Sequence, residues 1–407
     1  MNFLFAWRYF KAKKTTQAIN VIAWVSVVAI AIITAAFVIM MSVFNGFEGL
    51  VKELYASFYA DLRVVPANGK VIFVSDAQWQ RVQQIKGLKA ASRIIEEKAL
   101  LQNQDLQTIV FLKGVEDSYQ LVTDIPAKII RGKYFLGSTD QPAIVLGSGI
   151  EHAVAADVER SIYPLTVYLF RRGVPVSEID PYQSFSAENI QGAGTFFIQQ
   201  DIDSKYALTN IGLMQNLLKM KPNEYGAIEL AVQKSKDLES AKKELQSIFG
   251  KEVLVETRYE QNKSLYRVMQ MEKWAGYGLM TLMLIVAAFT MVGALTMLVM
   301  EKQKDIQVLK SFGASQGWIQ RTFLSEGLVL GGIGVIAGLI LGIGICFVQQ
   351  KFHLIKIQGG TFLLDHYPVS VHLFDTSLIA VTVVIVTVLA SWFPARKASL
   401  QAIELKS

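Results

Sequence analysis

Cysteine is all but absent from this chain of 407 residues: only Cys346 occurs, inside an apolar run, which excludes a disulfide framework and a cysteine-based metal site within the chain. Phosphate-binding chemistry is missing too. Each Gly-Lys pair (Gly69-Lys70, Gly132-Lys133, Gly250-Lys251) is followed by something other than Ser or Thr, so there is no loop in which backbone amides and a lysine would cradle a nucleotide. The histidines, His152, His353, His366 and His372, form no H-E-x-x-H pair. His366 and His372 share a short loop, but no third ligand stands at a recognisable spacing. No G-x-S-x-G elbow occurs either. The sequence thus offers no catalytic site and no resident cofactor of its own.

Charge is the other local absence. Asp, Glu, Lys and Arg are missing from 15–47, 274–300, 327–350 and 376–395. Each stretch exceeds or meets the roughly 20 helical residues that span a hydrocarbon core, and none shows the polar face of a soluble helix. Four transmembrane helices are expected, the first an uncleaved anchor because its apolar part outruns the h-region of a signal peptide. With no ionisable group inside the spans, coupling to a proton or ion gradient is disfavoured and the energy must come from elsewhere. The composition, 52% hydrophobic and 18% charged, fits a chain divided between membrane and water.

Basic residues set the expected orientation. Arg8, Lys11, Lys13 and Lys14 precede the first stretch, Lys302, Lys304, Lys310 and Arg321 separate the second and third, and Arg396, Lys397 and Lys406 follow the fourth. The short loop 351–375 balances Lys351 and Lys356 with Asp365 and Asp375. The positive-inside rule therefore places both termini in the cytoplasm and 48–273 outside. The net positive charge belongs to the cytoplasmic face, where it suits anionic lipids and gives no reason to expect nucleic acid. Residues 1–14, with Phe3, Leu4, Trp7 and Phe10 opposite Arg8 and Lys11, read as an interfacial helix.

The segment 48–273 reads as mixed α/β. Strands are expected at 62–66 and 91–101 around a helix 76–84 capped by Ser75, and later a strand at 227–232, a helix 235–249 stopped by Gly250 and a strand at 253–255. These suggest one discontinuous subdomain (48–105 with 221–258) into which a mainly β lobe, 106–220, is inserted, followed by a stalk helix at 259–273. Between the second and third spans, in the loop 301–326, Asp305 opens a short helix, Ile306, Leu309 and Phe312 give it an apolar face, and Gly313 stops it. Such a face fits either a partner's groove or the membrane surface. Glycines four apart in the third span (Gly327/Gly331, Gly334/Gly338, Gly338/Gly342) allow close helix packing.

Three segments resemble the FtsX/MacB-type ABC transporter permeases: Ala23-Trp24-Val25-Ser26 with Ser42-Val43-Phe44-Asn45-Gly46-Phe47-Glu48, the run from Lys304 to Ser315, and Phe393-Pro394-Ala395-Arg396-Lys397-Ala398. The run at 42–48, with Asp365-His366-Tyr367-Pro368-Val369, resembles the lipoprotein-releasing LolC/LolE branch. That resemblance implies a porter and a sabre subdomain and a bacterial inner-membrane location. It also implies a coupling helix (Asp305, Ile306, Leu309, Phe312, Gly313) docked on a separate ATPase dimer that uses ATP and Mg. The remaining implied partners are a second permease copy or paralogue, acylated lipoprotein cargo and a periplasmic carrier. MacB-type efflux of peptides or toxins and FtsX-type signalling to a cell-wall hydrolase are the alternatives.

Phe37, Met40, Met41 and Phe44 offer an adaptable apolar surface that suits acyl chains, or else pack on neighbouring helices. Between the strand 165–170 and Gly194-Thr195-Phe196, the segment with Arg171, Arg172, Pro175, Pro181 and Tyr182 has turn chemistry. By the resemblance it stands where the carrier-capturing hairpin lies; otherwise it is a surface loop.

Overall fold

The computed structural model describes residues 17–160, 164–170, 185–356 and 366–400. The interfacial segment 1–14, Asp365 and the five carrier-directed residues between 171 and 182 lie outside these. The described chain divides into two compact units, one formed chiefly by 51–266 and the other by the segments on either side of it.

The first unit is built on one ten-stranded sheet. Its strands are β1 (Leu62–Pro66), β2 (Leu88–Asn103), β3 (Leu106–Val115), β4 (Ile129–Gly132), β5 (Ala143–Gly147), β6 (Leu165–Phe170), β7 (Phe185–Phe196), β8 (Tyr206–Asn210), β9 (Ala227–Val232) and β10 (Val253–Thr257). At one end the order is β10-β1-β9-β2, with β1 antiparallel to both β9 and β10, and β9 antiparallel to β2. Helix Asp76–Gln83 joins β1 to β2, and helix Leu238–Phe249 joins β9 to β10. Each helix thus crosses between two parallel strands that hold a third between them, so two split βαβ units interlock. Ser75 caps the first helix through a reciprocal box with Gln78, and Gly250, at φ +69°, ends the second. Their apolar faces meet the sheet in a core containing Leu62, Val64, Ile228, Leu230, Ala241 and Leu245.

Beyond β2 the strands turn into a closed ring. β2 pairs β3, β3 pairs β8, β8 pairs β5, β5 pairs β7, β7 pairs β6, and β6 returns to β2. Closure removes the exposed strand edges that an open sheet would present. Helix Ile211–Leu218 buries Leu213, Met214, Leu217 and Leu218 in the core that this ring shares with Leu101, Leu112 and Val167. The change from one core to the other falls within β2, between Ala91 and Ile95, rather than at the turn after Asn103. One strand of sixteen residues serves both cores, which is why the insertion boundary is invisible as a composition shift.

The second unit holds four helices long and apolar enough to cross a membrane. They are α1 (Gln17–Phe58), α2 (Lys263–Glu301), α4 (Gln316–Phe352) and α5 (Leu373–Ser399), with the short α3 (Gln303–Ser311) between the second and third. The glycines of α4 divide between two neighbours. Gly334, Gly338 and Gly342 meet Ile30, Ala31, Thr34, Ala35 and Val38 of α1, while Gly327 and Gly331 meet Ser391 and Thr387 of α5. Small residues are what bring helix backbones this close in an apolar bundle.

Candidate functional site

The segments singled out in the sequence meet in pairs, at two separate junctions of the bundle. At the first, the run at 42–48 of α1 receives the segment that leads into α5. Ser370 donates its amide to the Ser42 carbonyl at 2.9 Å, the Phe47 and Tyr367 rings meet edge to face at 5.9 Å, and the Pro368 carbonyl lies so close over Gly46 that no Cβ would fit there. The polar centre of this junction joins three helices. Asn45 donates from Nδ2 to Asp375 Oδ2 at 2.6 Å, and Lys273 donates from Nζ to Asn45 Oδ1 at 2.7 Å and to Asp375 Oδ2 at 3.1 Å. His372 Nδ1 stands 4.0 Å from the same carboxylate oxygen. Asn45 and Asp375 are buried. The charges of Lys273 and Asp375 bounded the uncharged stretches in the sequence, and nothing in their spacing showed that they pair.

Next along the α1–α2 seam come the four residues expected to face cargo. Phe37 and Met41 are fully buried in the core of the bundle, Phe37 with its ring edge to face on Tyr277 at 4.8 Å. Tyr277 in turn hydrogen-bonds Thr382 of α5. This is a correction for those two: α1 is covered by both α2 and α4, so the side of α1 that carries Phe37 and Met41 faces inward. Met40 and Phe44 are half-buried, and their side-chain ends rest on Gly276 of α2.

The second junction joins the run at 304–315 to the run at 393–398. Ile306 of α3 is 1% exposed and packs with Leu298, Val299, Ile319, Phe323, Ala395 and Ala398. Lys310 donates from Nζ to the carbonyl of Ser399 at 2.9 Å, capping the end of α5. The expected open face of Ile306, Leu309 and Phe312 is therefore divided. Ile306 is spent inside the chain, and Leu309 lines a cleft with Trp318, Ile319 and Phe323. The exposed apolar pair is Val308, at 54%, with Phe312, at 85%. Residues four apart share a helix face, and that face is 308/312 rather than 306/309. Asp305 lies in the first turn and pairs with Lys302 at 3.0 Å, and Gly313 ends the helix at φ +90°.

In the other unit, a buried charge cluster lies across the sheet. Lys113 of β3 reaches Glu229 of β9 at 2.8 Å, both 1% exposed, and Tyr119 donates to the same carboxylate at 3.0 Å. Burial alone would raise the Glu229 carboxyl, but the attraction of Lys113 and Arg63 outweighs it and leaves Glu229 below its ordinary value. Phe58, in the last turns of α1 that belong to this unit, has its ring centre 5.1 Å from the ammonium of Lys113. Among the described residues no group of His, Cys, Asp and Glu is arranged to hold a metal ion.

Comparison with known proteins bears on both units. The model of the MacB-like periplasmic core domain matches residues 23–248, and that of the FtsX-like permease C-terminal domain matches 277–402. The lipoprotein-releasing system transmembrane protein LolC of Neisseria meningitidis serogroup B is 26% identical over 96% of this chain and 95% of its own length. The corresponding protein LolE of Haemophilus influenzae is 26% identical over 98% and 96%. Among solved structures, the periplasmic region of MacB from Actinobacillus actinomycetemcomitans aligns with 54% of this chain and 98% of its own, at 12% identity and a TM-score of 0.36. The fold of the first unit accordingly stands on the strand pairing described above.

Proposed function

We propose, from the premise that this chain belongs to the family of ABC transporter permeases joining a MacB-like periplasmic core domain to an FtsX-like C-terminal domain, that it releases lipoproteins from a bacterial inner membrane. In this reading it pairs with a second permease copy or a paralogue and with two ATPase subunits that use ATP and Mg. It lifts acylated proteins from the outer leaflet and passes them to a periplasmic carrier. The observation that carries the reading is similarity along nearly the whole chain, through both units, to proteins named for lipoprotein release.

The physical features agree with that role. Four apolar helices make it a membrane protein, and the basic segments favour cytoplasmic termini. Val308 and Phe312, with Leu309 at the mouth of its cleft, supply the surface for the ATPase, while Met40 and Phe44 supply the adaptable surface for acyl chains. The segment 171–182 is proposed to receive the carrier; its deletion should abolish transfer while leaving membrane insertion and ATPase binding intact. The test of the whole reading is purification of the assembly from its native membrane, followed by mass spectrometry of what it holds. Acylated N-terminal peptides support lipoprotein release, whereas recovery of a cell-wall hydrolase or of unacylated peptides alone would sink it.

A further inference from the structure

We propose that Asn45, Lys273 and Asp375 form a releasable polar latch, which holds α1, α2 and α5 together at one junction of the bundle and opens when these helices part during transport. The proposal rests on the permease reading, but its geometry stands independently of the cargo. Three side chains from three helices close a ring of contacts at 2.6, 2.7 and 3.1 Å, so each helix is tied to the other two. Around that ring the seams differ in kind. Between α4 and α1 the contact is backbone-close, since a Cβ on Gly338 would stand 2.6 Å from the Ala31 carbonyl oxygen. Sliding or opening that seam means breaking rigid packing. Between α1 and α2 the contact near the latch consists of the flexible ends of Met40 and Phe44, which a Cβ added to Gly276 would meet at 3.1 to 3.4 Å and which can repack.

The latch is also not sealed within the chain, because the side chain of Lys273 keeps 22% of its exposure and that of Asp375 keeps 10%. A fully sealed ion pair, once broken, leaves two bare charges in a low-dielectric interior. One at the rim can be rehydrated as it opens. The groups facing Asp375 are Lys273, Asn45 and, at 4.0 Å, His372, so its charge is met from three sides. Asn45 presents a carbonyl to Lys273 and an amide to Asp375, and rotating its side-chain amide would serve the opposite polarity equally well. Exchanging the two charges should therefore rebuild the latch, whereas reversing either alone should break it.

The experiment uses the full permease–ATPase assembly in lipid nanodiscs, with Cys346→Ser removing the sole native cysteine and spin labels placed at Gly49→Cys and Phe374→Cys. Both sites are exposed, on α1 and α5. The native triad is expected to give one narrow distance distribution. Lys273→Asp or Asp375→Lys should broaden it by more than about 5 Å, one helical turn. The double exchange should restore the narrow distribution. Asp375→Asn, which keeps the size and the contact to Asn45, should broaden it less. Distances that stay narrow in the single reversals and in Asp375→Asn would overturn the latch, as would a double exchange that folds like the native protein yet stays as broad as the single reversals. Lipoprotein release is scored on the same samples. Distances that respond as expected while no form moves lipoprotein would refute the functional reading and leave the latch standing.

Discussion

Gly338 and Asp203 show what single residues decide. At Gly338 an added side chain would run into the Ala31 carbonyl and Thr34, whereas Gly344 on the same helix has open space around it. Gly338→Val should cost several kcal/mol, at or above the roughly 1–3 kcal/mol typical of overpacked cores, because backbone rather than a mobile side chain is in the way. Gly344→Val should be nearly neutral, and thermal unfolding of the two variants in detergent checks the contrast. Asp203 is buried, and burial pushes its carboxyl up to about 7, although the amides of Ile198 and Gln199 donate to it. Its folded value thus exceeds the unfolded one of about 3.9, so the folded state binds the extra proton between these values and loses stability as pH rises from about 4 to 7. Asp203→Asn should flatten that part of the stability profile and raise stability above pH 7, measured by denaturant midpoints across the range. Neither residue's environment was legible beforehand. The glycine spacing announced close packing, but which helix each glycine meets depends on the bundle, and an aspartate in the largely polar run 199–205 gives no sign of burial.

Elements were legible where local chemistry sets their ends. Ser75 marks the start of one helix and Gly250 the end of another, and both stand as the sequence implies. Hydropathy, by contrast, reports the apolar part of a helix and not its end: α1 continues through Glu48, Lys52 and Glu53 to Phe58, since those charges suit a helix that has left an apolar environment. The closed ring of strands was hidden because its pairings join residues far apart, as with β6 to β2. Helix α3 was located correctly and its exposed face misread, since a short helix with four apolar positions has two candidate faces and only the packing of Ile306 chooses between them. Two substitutions follow. Ile306→Ala should destabilise the bundle by about 2–5 kcal/mol, as loss of a buried aliphatic chain does. Val308→Asp with Phe312→Asp should leave the thermal midpoint of the isolated permease unchanged while reducing co-purification of the ATPase at least tenfold. Equal recovery of the ATPase would remove the 308/312 face from the proposed contact.

For the whole molecule, the division into four apolar helices and one large segment outside them was plain from charge alone, because a hydrocarbon core excludes ionised groups over a fixed length. What charge could not show is that the paired motifs meet. Residues 42–48 join 366–375, and 304–315 join 393–398, so the runs that carried the family resemblance are the places where separate helices are fastened together. That arrangement suits a machine in which motion at one junction must reach the other through the bundle. The direct test of the account is ATP-driven transfer. The permease and its ATPase are reconstituted in nanodiscs loaded with a triacylated lipoprotein, and the soluble carrier is assayed for that lipoprotein after ATP addition. The account predicts that the lipoprotein appears on the carrier only with hydrolysable ATP, and that the Val308→Asp/Phe312→Asp variant releases none. Robust ATP hydrolysis with the lipoprotein left in the membrane, native chain and variant alike, would contradict it.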